Sequence, residues 1–233
     1  MSIDDDKRDF RVPFVLVIFS ISGCAGLVYQ SIWTQYLGLF LGHAAYAQSL
    51  VLGIFMGGMA IGSWWTSARS LRWRNLLRAY AWVELAIGVA ALVFHPVYLA
   101  TTNFAYAVAF PALADSGLAQ LFKWLSAGLL IFPQAILLGA TFPLISNSLI
   151  RRRSGGNGAI LAGLYFTNSI GAAFGALFAT FVLLPAVGLP GTMRFAAVLN
   201  IVVAIAAFML AARDSSVAPR AEMEPASVSL VQS

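Results

Sequence analysis

Charge is what this chain has least of: Asp, Glu, Lys and Arg make up 10% of its 233 residues, against 60% apolar ones. With a mean hydropathy of +0.84, it has too little polar surface to cover a water-soluble globule, which leaves lipid as its solvent. Cysteine is scarcer still. Cys24 is the only one and lies inside an apolar run, which excludes an internal disulfide and a Cys-based metal site and leaves a small packing residue. The two histidines, His43 and His95, fall near the ends of apolar runs with no ligand spacing to each other or to carboxylates, so no metal or other cofactor is expected. The run SGGNG at 154–158 lacks the following Lys of a phosphate loop and reads as a turn. No nucleophile and base stand together, which argues against an intramembrane enzyme.

What the chain does have is long apolar runs, and crossing the hydrocarbon core takes about 20 such residues in a helix. Six runs are long enough: Val12 to Phe40, Ala47 to Thr66, Leu77 to Ala100, Leu118 to Leu149, Ala159 to Pro185 and Thr192 to Ala212. An all-α bundle of six transmembrane helices follows. Its domain spans 12–212, between an N-terminal segment (1–11) and a polar tail (213–233) expected to be disordered. Pro133 and Pro143 are expected to kink the fourth helix. The outer connection from Thr101 to Gly117 carries FAYAVAF, which suggests an interfacial or re-entrant piece.

The basic residues give the orientation. Lys7, Arg8 and Arg11 precede the first run; Arg69, Arg72, Arg74 and Arg78 separate the second and third; Arg151, Arg152 and Arg153 separate the fourth and fifth; Arg213 and Arg220 follow the last. Only Lys123 and Arg194 lie elsewhere. Positive residues stay on the cytoplasmic side during insertion, so both termini are expected in the cytoplasm of a bacterial inner membrane. The net charge of +5 is thereby explained by topology and anionic headgroups; no aromatic-interleaved basic face points to nucleic acid.

Two features stand out within the runs. Small residues recur every fourth position in the fifth run, Gly171 and Gly175 among them, and the second run pairs Gly53 with Gly57 and Gly58 with Gly62. Such strips let helix backbones approach closely, and these glycines are expected to pack the centre of the bundle. Glu84 is the only acidic residue well inside a run. An ionisable group there marks either a cation or proton site, or a hydrogen-bonded stitch between helices. Tyr29, Gln30, Gln48, Gln134, Thr141, Tyr165, Asn168 and Asn200 either share a cavity with it or make separate interhelical bonds.

The stretches SGCAGLVYQSIWTQYLGLFLG, VLGIFMGGMAIGSWW, YAWVELAIGVAAL, ILLGATFPLIS and GLYFTNSIGAAFGALFATFVLLPAVGL resemble, in that order, the membrane half of the spermidine synthase-like membrane proteins. In that family a major-facilitator-like region is fused to an aminopropyltransferase-like domain. Gln35 stands after Trp33 and Thr34 where the family places a basic residue. The resemblance implies a major-facilitator-half-like bundle without the aminopropyltransferase domain, hence a chain that is not itself the enzyme. Two roles are implied: transport or binding of a polyamine-like cation at Glu84 and its neighbours, or an anchor for a separately encoded synthase-like partner. Major-facilitator folds have two six-helix halves with substrate between them, so a transporter would need a homodimer or a second membrane subunit.

Overall fold

The computed structural model describes residues 3–70, 72–113, 117–151 and 157–215, and these are helical apart from short turns. The helices are α1 (Ile3–Leu41), α2 (Ala44–Ser70), α3 (Leu76–Phe104), α4 (Phe110–Leu113), α5 (Leu118–Ile150), α6 (Asn157–Phe178) and α7 (Leu184–Ser215). Five helical stretches are long and apolar enough to cross a membrane: Val12–Leu41, Ala44–Ser70, Leu76–Leu113, Leu118–Ile150 and Asn157–Arg213. α1 starts within the segment expected to precede the first run. The tail beyond residue 215, where disorder was expected, lies outside the described residues.

The last stretch contains a break. Gly188 has φ 65° and ψ −175°, a conformation that glycine adopts without a Cβ penalty. The Thr192 hydroxyl donates back to its carbonyl at 2.8 Å. Contacts reverse direction across it. α6 runs alongside α1 in the same sense, with Gly171 facing Ser20 and Gly175 facing Cys24. α7 instead opposes α3, with Ala197 and Ile201 at Gly88 and Phe208 at Trp82.

The outer connection expected from Thr101 onward is instead a continuation of α3, through a π-helical turn (Ala105–Ala109) into α4. The π turn explains how helix persists into Pro111. Phe110 N–H bonds to Ala105 O, five residues back, which resets the ladder just before a residue with no N–H to give. The same device recurs between α6 and α7: a π turn over Ala179–Leu183, with Leu184 N–H on Ala179 O, immediately precedes Pro185. α5 continues without a break through both Pro133 and Pro143.

Three pairings build the bundle: α1 with α6, α2 with α5, and α3 with α7. α1 is the hub, touching α2, α5 and α7 as well. Two apolar clusters fill the interior, one around Trp33, Tyr36 and Ile131, the other around Phe19, Tyr80 and Leu144. Glycines set the closest approaches, because packing rather than a hydrophobic force joins helices in lipid. A Cβ on Gly58 would meet Ala135, one on Gly62 would meet the Ile136 backbone, and one on Gly139 the Met59 backbone. Gly53 and Gly57, expected at a packed interface, are exposed with nothing within 4 Å of an added Cβ. One helical residue turns the chain by about 100°, so of the two overlapping pairs in α2 only Gly58 and Gly62 face α5.

Candidate functional site

Glu84 is placed by its own helix and by the neighbour that helix packs against. Asn75 caps α3, its side chain accepting from Arg78 N at 3.0 Å. That start puts Glu84 on the buried face with Tyr80, Ala81, Ile87 and Gly88. At Gly88 a Cβ would lie 2.9 Å from Ile201 and 3.0 Å from the Ala197 carbonyl. This close approach brings Asn200 of α7 against the carboxyl.

Three helices meet at that carboxyl. Ser22 of α1 donates its hydroxyl to Glu84 Oε1 at 2.6 Å. Asn200 donates its side-chain N–H to Oε2 in a short bond. Tyr29, also of α1, donates to Asn200 Oδ1 at 2.7 Å. Tyr80 is buried beside this group without meeting hydrogen-bond geometry. Glu84, Asn200 and Tyr29 are fully buried. Among the described residues no basic side chain bonds the carboxyl. The arrangement ties α1, α3 and α7 together through neutral donors.

Two clefts lie around this network, and Glu84 lines neither. One, of about 270 Å³, runs between α3 and α5 over Phe94, Val97, Leu130 and Pro133. Gln134 lines it while donating to Ile87 O at 3.2 Å. The other, of about 340 Å³, lies among α1, α2, α5 and α6 and reaches Ser22, Ser63, Thr141, Tyr165 and Asn168 beneath Phe19, Phe55 and Phe142. The residues expected around one cavity are therefore divided. Tyr29 joins Glu84 in the closed network, Gln134 faces one cleft, and Tyr165 and Asn168 face the other. Gln30 is half-buried and outside the network. The reason is helical phase: residues at matching depth need not share a face.

Sequence reasoning passed over Ser22, the residue that both bonds Glu84 and lines a cleft. A lone Ser amid SISGCAG carries no signal; only the register of α1 on α3 gives it a partner. Further along α3, His95 joins a second polar group. Its Nδ1 pairs with the Tyr36 hydroxyl at 2.8 Å, and Tyr98 donates to Tyr36 O at 2.9 Å. Near the other helix ends, Arg151 clasps the α2–α3 turn, donating to the carbonyls of Trp73 and Ser70 at 2.8 Å each.

No protein-family model and no solved structure matches the chain. A curated relative, polyamine aminopropyltransferase 1 of Streptomyces coelicolor, is 29% identical over 211 residues, covering 87% of this chain and 34% of that protein. The chain thus spans about a third of the length of the relative it matches. The similarity is distant, and the five long apolar helices are compatible with an integral membrane protein.

Proposed function

We propose that the chain is a non-catalytic six-helix membrane bundle that holds aminopropyltransferase-type chemistry at the cytoplasmic face of a bacterial inner membrane. The observation that carries this is the closure of the Glu84 network. The one carboxyl deep in the apolar segments holds a neutral donor on each oxygen, Ser22 and Asn200, and lines neither cleft. It serves as a clasp rather than as a charge presented to a substrate. The relative's name supplies the chemistry served, and the reversal at Gly188 supports six crossings with both termini inside.

Two measurements test this. Pull-down of the tagged chain from its native membrane in mild detergent should recover an aminopropyltransferase-like domain and its activity; recovery of neither rejects the role. In a Cys24→Ala background, cysteines at Ser67 and Asn75 should be shielded from an impermeant reagent added outside. Labelling from outside inverts the orientation.

A second reading, binding or movement of a polyamine-like cation, is favoured by one specific feature. Ser22 lines the α1/α2/α5/α6 cleft and bonds Glu84, which places a carboxyl one hydrogen bond behind that cleft. A major-facilitator-half-like bundle would complete the cleft with a second copy or another membrane subunit. Spermidine flux into proteoliposomes, compared with a Glu84→Gln variant, decides it. Equal flux with and without the protein rejects transport.

A further inference from the structure

Hydroxyl groups in the α1/α2/α5/α6 cleft have their protons already committed. Ser22 gives its proton to Glu84 Oε1 at 2.6 Å. Thr141 gives its proton to Leu138 O at 2.7 Å. Each has a single O–H and two lone pairs, so both can only accept from whatever enters the cleft. Asn168 also lines it, its amide seated against Gly23, where a Cβ would crowd the Asn168 side chain. Among the described residues neither the Asn168 amide nor the Ser63 hydroxyl has a hydrogen-bond partner, though both face this space. Polar groups left unpaired in hydrocarbon are costly. An acyl chain cannot satisfy them.

The remaining walls select the charge. Phe19, Phe55 and Phe142 line the cleft, and aromatic faces attract cations. Among the described residues no basic one lines it, while the Glu84 carboxyl stands directly behind Ser22. We infer that this cleft is a binding site for an organic ammonium that donates N–H bonds, held by the oxygens of Ser22 and Thr141 and by Asn168 under the phenylalanine rings. Glu84 acts as a positioning residue, holding the Ser22 proton so that its lone pairs face the ligand. The inference rests on the cation reading above and assigns it a place and a ligand class.

The test separates N–H donation from charge and from shape. The full chain in lipid nanodiscs is titrated by calorimetry with butylammonium, butyltrimethylammonium and butanol, with empty nanodiscs subtracted. Butylammonium should saturate, and the quaternary ion, which has no N–H, should bind at least about tenfold more weakly, as expected for losing a charged hydrogen bond. Ser22→Ala should abolish that preference. Glu84→Gln, read well below its own unfolding midpoint, should weaken butylammonium. Equal affinity for both cations, tight butanol binding, or no saturable binding overturns the site. Absent spermidine flux with butylammonium binding intact rejects transport alone, and failure of the pull-down with binding intact rejects the scaffold role alone.

Discussion

Alanine at Gly171 adds one methyl group where α6 crosses α1, and the structure gives both the sign and the size of the effect. The new Cβ would lie 2.8 Å from the Ser20 carbonyl carbon and closer still to its oxygen. Carbon contacts settle near 3.5–4.0 Å, so the backbones must part by roughly 0.7 Å or more. The obstacle is main chain on both sides, which no rotamer change relieves. Overpacking of this kind costs about 1–3 kcal/mol, and the helix gains about 1 kcal/mol back when Gly becomes Ala. A net loss of up to about 2 kcal/mol should lower the unfolding midpoint by up to roughly 8 °C for a chain of this size. Gly53→Ala is the matched control: nothing lies within 4 Å of its added methyl, so only the helical gain remains. Thermal unfolding of both variants in the same mild detergent reads the difference. Equal shifts in one direction would refute the assignment of α6 to α1 and of the Gly53 face to the exterior.

Two further changes probe the polar contacts. Asn200→Leu removes a donor from Glu84 and the acceptor of Tyr29, two buried bonds at once; an unfolding midpoint lowered by an equivalent of about 2–3 kcal/mol is expected, and an unchanged midpoint would mean the network contributes nothing. Arg151→Ala releases the carbonyls of Ser70 and Trp73, so the amides of Arg72 and Trp73, which bond back to Arg69 and Ser70, should exchange faster with deuterium while the α2–α5 amides near Gly58 stay protected. Uniform exchange across both regions would count against a local clasp.

How far the sequence carried the fold depends on which physical signal each element left. Run length and hydropathy suffice for α1, α2 and α5, since a helix in lipid must satisfy its backbone internally whatever it packs against. The C-terminal end of α3 misled because Asn103 and Pro111 imitate a loop. A π turn lets the helix run on to Leu113, and that ladder adjustment has no residue signature of its own. At Gly53, Gly57, Gly58 and Gly62 the small-residue motif was visible twice, but which pair faces a neighbour depends on α5. The site shows the same limit. Glu84 announces itself as a charge in an apolar run and Asn200 as a polar residue in another, whereas Ser22 becomes a partner only through the register of α1 on α3. Gln134, Tyr165 and Asn168 share its depth without sharing its face.

The outer surface of the bundle is not uniform. Outward positions on α3 and α7 are apolar: Val89, Val93, Val97, Val198, Val202 and Ile205 are all exposed. On α6 the exposed positions include Phe166, Ile170, Phe174 and Leu177 but also Tyr165 and Ser169, and Tyr165 lines the cleft with half-buried Asn168, Ser22 and Ser63. Hydrocarbon would solvate the apolar positions and leave the polar groups of Tyr165, Asn168, Ser169 and Ser63 unpaired. One lipid environment therefore does not suit both faces. Nitroxide labels at Val93 and Val202, in a Cys24→Ala background in nanodiscs, should relax strongly with oxygen, which dissolves in hydrocarbon, and weakly with a water-soluble nickel chelate. Labels at Tyr165 and Ser169 should show the reverse, or immobilisation, because the α6 face meets water, a ligand or another helix. High oxygen and low nickel accessibility at all four positions would place the cleft in plain lipid, and the hydrogen-bond argument for an occupant would then fail.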